Sequence, residues 1–298
     1  MHVLITGATG FIGRNLVQHL LQNQIALTIL VREVYSGEKM LPEPLKSLRP
    51  HFNVVYADLR NYRLTARAVQ EAAPTHVVHL AAAGVTAPFI PVETTLRHNL
   101  NATLNLLRAC FESKSGRSTP QQIIIARTPG ERMAMNVYAA GKAAAWQFCR
   151  MYARTEGWPI HGSMIFQAYG PGQNPNNLIP AAIRAAQTDE DFPMTGGQQE
   201  RDWIYLDDII TGLTAALDRP LPPGTTFELG TGCTTSVVEV VETIYRLAQS
   251  SGRPQIGVLP GRPGEDERQV AGAAESEQLI SWRAKISLEQ GLRRLLEL

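Results

Sequence analysis

Tyr138 and Lys142 stand four residues apart in the alanine-rich stretch Tyr138-Ala-Ala-Gly-Lys142, a spacing that puts both side chains on one face of a helix. A free phenol titrates near pH ~10 and is a poor base at neutrality, but an ammonium beside it favours the phenolate. The pair is therefore a candidate general acid/base for interconverting an alcohol and a ketone. A solvated tyrosine and lysine on an ordinary helix would show the same spacing. What separates the two readings is whether the chain also holds a hydride carrier.

Its first residues answer that. Val3–Ile5 read as a buried parallel strand, and Leu16, Val17, Leu20 and Leu21 recur at helical spacing. Between them lie Gly7, Gly10 and Gly13, with Phe11 and Ile12 opening the helix. At such a strand-to-helix junction one glycine makes the tight turn, one lets the backbone approach a pyrophosphate, and one lets helix and strand pack closely. The helix N-terminus then presents free N–H groups and the positive end of its dipole to the phosphate. Ala26–Val31 supplies the second strand of the unit. A dinucleotide site upstream of Tyr138 and Lys142 decides for chemistry over a solvated face.

Strand-like runs at Val3–Ile5, Leu27–Val31, Val54–Tyr56, His76–Leu80, Gln122–Ala126 and Ile160–Phe166 alternate with helical stretches, the pattern of a doubly wound parallel α/β sheet. The segments Ser36–Pro50 and Gln173–Pro180 break the alternation, the second where the chain leaves the nucleotide domain. Ser236-Val-Val-Glu239 is a capping box opening an apolar helix. Asp207 and Asp208 start another, where the helix dipole alone accounts for them. A net charge of +1 with 18% charged residues gives no electrostatic case for nucleic acid or an anionic membrane. Cys110, Cys149 and Cys233 lack metal-ligand spacing and read as reduced thiols, so no metal site is expected. With a strand starting at the first residues and no apolar run of bilayer length, the expectation is a cytoplasmic chain.

The glycine spacing, G-x-x-G-x-x-G, is one residue longer than the common dinucleotide fingerprint. It belongs with Asp58-Leu-Arg, His79-Leu-Ala-Ala-Ala83, Tyr138-Ala-Ala-Gly-Lys142, Tyr169-Gly-Pro-Gly172, Arg201-Asp-Trp-Ile-Tyr-Leu-Asp-Asp208 and Arg262-Pro-Gly-Glu, in that order. Together these resemble the extended short-chain dehydrogenase/reductase family, the NAD-dependent nucleotide-sugar epimerases, dehydratases and reductases. The resemblance implies a Rossmann-type dinucleotide domain over 1–170, with 204–235 returning to it and Phe227–Leu229 as a further strand. A smaller C-terminal α+β substrate domain would comprise 171–203 and 236–298. It also implies a homodimer through a four-helix bundle built from Thr94–Phe111 and Val137–Thr155.

The resemblance carries roles onto single residues. Tyr138 would exchange the proton, Lys142 would also hold a nicotinamide ribose hydroxyl, and Thr128 would hold the substrate oxygen. Gly7, Gly10, Phe11, Ile12, Gly13, Asp58, Leu59, Leu80, Ala81, Ala82 and Asn99 would line the cofactor, Asp58 beside the adenine. Gln167, Asn177, Arg201 and Arg262 would meet a nucleotide-diphosphate sugar, the two arginines bracketing the diphosphate. The sequence also departs from the family. Residues 129–137 make a short connection from Thr128 to Tyr138, the usual Ser-Ser pair is missing, and Thr128 could instead only cap its turn. Pro129 and Gly130 occupy the place of the acidic pair that serves water elimination in the dehydratases, which leaves Glu131 as a substitute only after a register shift.

Cofactor choice turns on Val31-Arg32, where NAD enzymes carry an acid and NADP enzymes an arginine. A guanidinium–phosphate contact is worth roughly 1.5–3 kcal/mol, about ten- to a hundredfold in affinity, so Arg32, with Arg14 able to add to it, favours NADP. NAD stays open if Arg32 is solvated and Glu33 takes the acid's role. The expected activity is NADPH-linked reduction of a nucleotide-diphosphate 4-keto (6-deoxy) sugar. The alternatives are a nucleotide-sugar 4-epimerase with tightly bound NAD and a catalytically inactive NAD(P)-binding regulatory protein.

Overall fold

A computed structural model describes residues 1–32, 41–84, 89–112, 119–261 and 264–297; part of the expected Ser36–Pro50 loop, Glu33, Arg262 and the last residue lie outside them. The chain divides into two compact units, residues 1–164 with 213–227, and 165–212 with 228–298.

In the first unit β1 (His2–Thr6) leads through the glycine turn into α1 (Phe11–Gln22), followed by β2 (Ala26–Val31), β3 (Asn53–Tyr56), α2 (Tyr62–Ala72) and β4 (His76–His79). A continuous helical segment, α3, then runs through Val92–Thr95, a stretch of π spacing at Leu96–Asn101, and Ala102–Phe111. β5 (Gln122–Arg127), α4 (Val137–Thr155) and β6 (Ile160–Ile165) follow; α5 (Leu178–Gln187) and α6 (Leu206–Leu217) precede the returning strand β7 (Thr226–Leu229). The seven strands are ordered β7-β6-β5-β4-β1-β2-β3. The pairings from β3 through β6 are all parallel. Val3, Leu4 and Ile5 of β1 have no exposed surface, as expected of a strand covered on both faces, and this explains its unbroken apolar sequence. Strand order reverses between β1 and β4, which makes the carboxyl ends of these two strands the place for a ligand.

A buried polar chain joins those ends. Thr103 Oγ1 donates to the Asn99 carbonyl at 2.7 Å, so its oxygen accepts from His79 Nε2–H at 3.0 Å, and His79 Nδ1 accepts from Thr6 Oγ1 at 2.6 Å. The partners thus assign the tautomer. Burial pushes the His79 ring down to about 3, so it is neutral at physiological pH. α4 lies close against α3 because position 141 has no side chain: a Cβ there would overlap Thr95 Cγ2.

The second unit is built from short pieces. Gln167–Tyr169 pairs in parallel with Trp203–Tyr205, Glu200–Arg201 lies between Thr235–Ser236 and Arg268–Gln269, and Phe192–Pro193 pairs with Pro254–Gln255. Helices α7 (Val237–Ala248), α8 (Ala273–Ile280) and α9 (Leu288–Leu296) complete it. Its core gathers Tyr169, Trp203, Tyr205, Val241, Ile244 and Leu292. The Ser236/Glu239 capping box forms as expected. Asp208 does more than face a helix dipole, because its Oδ2 accepts from the Lys285 and Ile286 amides at 3.1 and 2.9 Å. Among the described residues no helix is long and apolar enough to cross a membrane.

Two outcomes follow for stability. Gly141→Ala should destabilise by ~1–3 kcal/mol in chemical denaturation, overpacking outweighing the helix propensity that alanine adds, and Thr95→Ser in the same chain should restore most of it. The unfolded chain protonates His79 below its ordinary 6.5, whereas the native ring takes the proton only near 3, so this contribution is full above 6.5 and fades as pH falls between those values. His79→Gln should flatten the acid limb of stability by up to ~1.4 kcal/mol per pH unit.

Candidate functional site

The glycine turn has the form a pyrophosphate needs. Gly7 adopts φ +74°, and a Cβ on it would sit 2.6 Å from Ala81 N and 2.7 Å from the Leu80 carbonyl carbon. A Cβ on Gly13 would overlap Gly7 O and come within 2.7 Å of Ala8 Cα. These two glycines are therefore required by the protein's own packing. Gly10 differs: a Cβ there would meet only Gly7 O, at 3.2 Å, so its vacancy opens outward. Gly10 is also the N-cap of α1, no side chain caps it, and no acidic residue occupies the first turn. The uncapped amides of Phe11, Ile12 and Gly13 suit an anion.

Leu80 and Ala81 follow β4 against this turn, with Leu80 N bonded to Thr6 O at 3.0 Å and Ala81 N reaching Thr6 Oγ1 at 3.4 Å. Asn99, expected among the cofactor residues, is buried, and its amide closes a ring with Ala83: Oδ1 accepts from Ala83 N at 2.8 Å and Nδ2 donates to Ala83 O at 2.9 Å. It braces the 81–84 segment, Ala82 included. The π spacing of α3 is where it sits.

At the end of β3, Asp58 is gripped by a residue the sequence reading passed over. Arg60 Nε lies 2.9 and 3.0 Å from the two carboxylate oxygens and its NH2 2.5 Å from Oδ2, while the Arg60 amide donates to Oδ1 at 3.0 Å. This fork holds the Asp58 carboxyl down at about 2, with Arg32 adding a smaller pull. Arg60 NH1 also reaches His98 Nε2 at 3.3 Å. The acid expected beside the adenine is thus half of an ion pair in a cationic neighbourhood, a feature the Asp58-Leu-Arg60 spacing could have signalled. Leu59 is buried, and its carbonyl accepts from Asn105 Nδ2 at 2.9 Å.

α4 starts where Asn136 Oδ1 caps the Ala139 amide at 2.9 Å, one residue before its first turn brings in Tyr138. Lys142 is only 5% exposed, and among the described residues its Nζ and the Tyr138 hydroxyl make no hydrogen bond or ion pair. A lysine held in the fold whose Nζ has no protein partner among the described residues can offer its protons to ligand oxygens. With the open turn at Gly10, it makes the residues present a fit for a nicotinamide dinucleotide.

The expected acidification of Tyr138 is not what the structure gives. Burial pushes its phenol well above the ordinary range, and the charge that bears on it is the carboxylate of Glu131, which raises it further. Shared helix face does not suffice for an ammonium to lower a phenol, because desolvation acts first. Tyr138 is therefore a protonated donor at neutral pH.

Thr128 ends β5 in extended conformation and forms a capping box with Glu131 over the short helical turn Pro129–Arg132. The Thr128 amide donates to Glu131 Oε1 at 2.9 Å, and Arg127 Nε donates to Glu131 Oε2 at 2.9 Å. The Glu131 side chain is 1% exposed. Arg127 donates in turn to Thr226 Oγ1 at 3.0 Å and lies over the Trp146 ring at 4.5 Å. Both oxygens of Glu131, the residue weighed as a substitute for the dehydratase acid, are therefore engaged within this turn.

In the second unit, Arg201 is buried and gives NH1 to Glu200 O at 2.8 Å and NH2 to Glu265 Oε1 at 3.1 Å. The guanidinium expected to face a diphosphate is thus paired with a carboxylate of the Arg262-Pro-Gly-Glu265 motif, whose Arg262 lies outside the described residues. Gln167 is exposed on its short strand, and Asn177 is the N-cap of α5 without using its side chain to cap. Asp202, which the sequence reading left without a role, is fully buried and accepts from Thr231 N, Thr231 Oγ1, Gly232 N and Ala271 N at 2.7–3.1 Å. It organises the loop 230–233. Its partners are far apart in sequence, so no local pattern announced it.

Comparison with known proteins agrees with this architecture. Residues 3–230 match the profile of the "NAD dependent epimerase/dehydratase family". The low-salt glycan biosynthesis protein Agl12 of Haloferax volcanii is 30% identical over 98% of this chain and 96% of its own length. A probable dTDP-glucose 4,6-dehydratase of Sinorhizobium fredii is 26% identical over 100% of this chain and 92% of its own. The UDP-glucuronic acid 4-epimerase of Bacillus cereus, solved with UDP-glucuronic acid and NAD, superposes with a TM-score of 0.86 at 24% identity, covering 100% of this chain and 98% of that one. Such a likeness speaks to fold. The profile match, which spans most of the chain, places it in the NAD-dependent epimerase/dehydratase family, whose members are nucleotide-sugar enzymes.

Proposed function

We propose that this chain moves hydride between a nicotinamide dinucleotide and C4 of a nucleotide-diphosphate sugar without expelling water, in the net direction of reducing a 4-keto (6-deoxy) sugar with NADPH. The observation that carries the reading is the engagement of Glu131 by Arg127 and the Thr128 amide. With Pro129 and Gly130 beside it, no acid remains in this turn to drive elimination, and redox chemistry at one carbon is what Tyr138 and Lys142 are equipped for. A carbonyl that gains hydride also needs a proton donor, a role the Tyr138 phenol is suited to.

In this mechanism the Thr128 hydroxyl and the Tyr138 phenol hold the sugar carbonyl oxygen. Capping does not disqualify Thr128, because a hydroxyl that accepts one hydrogen bond still has a proton to give. Lys142 binds a nicotinamide ribose hydroxyl and stabilises the phenolate left on Tyr138. The bound cofactor supplies the hydride. Arg32 beside the Asp58–Arg60 pair supports NADP over NAD, since these cations suit a 2′-phosphate. In the second unit a substrate diphosphate would compete with Glu265 for Arg201. Exposed Leu96 on α3 and Phe148 on α4 support a dimer through those helices.

A second reading, 4-epimerisation with resident NAD, is favoured by solved neighbours such as the Bacillus cereus epimerase, whose complex holds NAD and a UDP-sugar. Purified protein should oxidise NADPH when given a nucleotide-diphosphate 4-keto-6-deoxy sugar. Tightly held NAD that survives dialysis, with interconversion of 4-epimeric UDP-sugars, would transfer the assignment to the second reading. Tyr138→Phe should lower kcat by ~10²–10⁴ with cofactor affinity nearly unchanged. Equal turnover in parent and variant would reject the mechanism.

A further inference from the structure

The carboxyl ends of β2 and β3 lie side by side. The two strands pair in parallel up to Val31 and Tyr56, and the Ala57 amide donates to the Val31 carbonyl at 3.0 Å, so Arg32 and Asp58 follow from neighbouring strand ends. In a dinucleotide fold the end of the second strand is where the ribose 2′ position of the adenosine is read. A bare carboxylate beside it would repel a 2′-phosphate and tolerate a 2′-hydroxyl. In this chain the carboxylate is not bare. Arg60 brings Nε to both Asp58 oxygens and NH2 to Oδ2, its amide donates to Oδ1, and its NH1 reaches His98 Nε2 at 3.3 Å. All three guanidinium nitrogens are thereby committed, and because arginine only donates, His98 Nε2 accepts. The turn that carries the pair is fixed as well. The Asn61 amide donates to the Asp58 carbonyl at 2.8 Å, and Asn61 Oδ1 caps α2 through the Leu64 amide at 3.2 Å. The Asp58 and Arg60 side chains are still 28% and 40% exposed, within reach of a ligand.

We propose that Arg60 is a specificity-determining residue for the dinucleotide: by forking onto Asp58 it masks the acidic charge beside the ribose 2′ position and so admits a phosphate there, acting through Asp58 and not by touching the phosphate. The proposal rests on the dinucleotide reading of the glycine turn, and it deepens the choice of NADPH. With the Asp58–Arg60 pair neutral as a whole, Arg32 weighs in the local charge, and it bears on both Asp58 and His98. A phosphate arriving beside β2 then meets a positive balance, which an unmasked Asp58 would cancel. The bond to His98 ties the guanidinium to α3 as well as to its own turn, so the mask is anchored from two elements.

The test measures NADPH and NADH binding to the free protein by cofactor fluorescence, in parent, Arg60→Met, Asp58→Asn and the pair Asp58→Asn with Arg60→Met. Its readout is the ratio of the NADH Kd to the NADPH Kd. In Arg60→Met the ratio should fall about tenfold, chiefly through weaker NADPH binding. That fall should shrink between about 0.05 and 0.5 M salt, since partly exposed charges are screened. Asp58→Asn alone should raise the ratio, and the paired variant should return it to within about threefold of the parent. An unchanged ratio in Arg60→Met overturns the proposal, and so does an equal loss of both cofactors, which would leave Arg60 a brace of the turn only. A ratio that stays low in the paired variant overturns masking in favour of direct contact with the phosphate. If the parent prefers NADH while Arg60→Met still lowers the ratio, the NADPH reading fails and the role of Arg60 stands.

Discussion

Lys142 is 5% exposed and makes no hydrogen bond or ion pair among the described residues, so desolvation works against its charge, and the first unit is arranged around that constraint. Helical spacing delivers the lysine on the face that carries Tyr138, and the absence of a side chain at position 141 lets α4 settle against α3. A lysine with a fixed partner in the fold would gain stability and lose its use. Held this way, its hydrogen-bonding capacity is kept for oxygens that arrive with a ligand.

The ligand end of the same unit obeys a related constraint. β1 and β4 are adjacent strands paired up to Thr6 and His79, and Thr6, His79, Thr103 and Asn99 form a partnered polar chain at their carboxyl ends. Because the ring is neutral and both its nitrogens are committed, the chain fixes geometry without adding charge to the cofactor wall. Asn99 passes that order on to the segment after β4 through Ala83. A rigid wall opposite an open helix N-terminus is what a dinucleotide requires of its binder.

Much of this was legible in the residues. The central strands carry short apolar runs because both faces are covered, so β1, β2, β4, β5 and β6 could be located from those runs even where polar residues such as His79, His161 and Ser163 interrupt them, and the glycine turn from the steric demands of a strand-to-helix junction. The α4 helix and its Tyr138/Lys142 face followed from spacing. Less visible was everything set by desolvation or by partners distant in sequence. The Tyr138 phenol goes up and not down because burial and the Glu131 carboxylate act on it, which no spacing reveals. Arg127 meets Thr226 and Trp146 from other elements, Asp202 meets loops far along the chain, and Arg201 finds Glu265 before any diphosphate. The π spacing in α3 left no mark in an otherwise ordinary helical sequence.

The central claim of the proposed function is that hydride moves at one sugar carbon under a phenol that gives its proton, without loss of water. Following deuterium from the nicotinamide C4 position of labelled NADPH into the sugar, by mass spectrometry and proton NMR of the product, tests it most directly. The account predicts one deuterium, carried at sugar C4. Label at C6, or a product that has lost water, would contradict it.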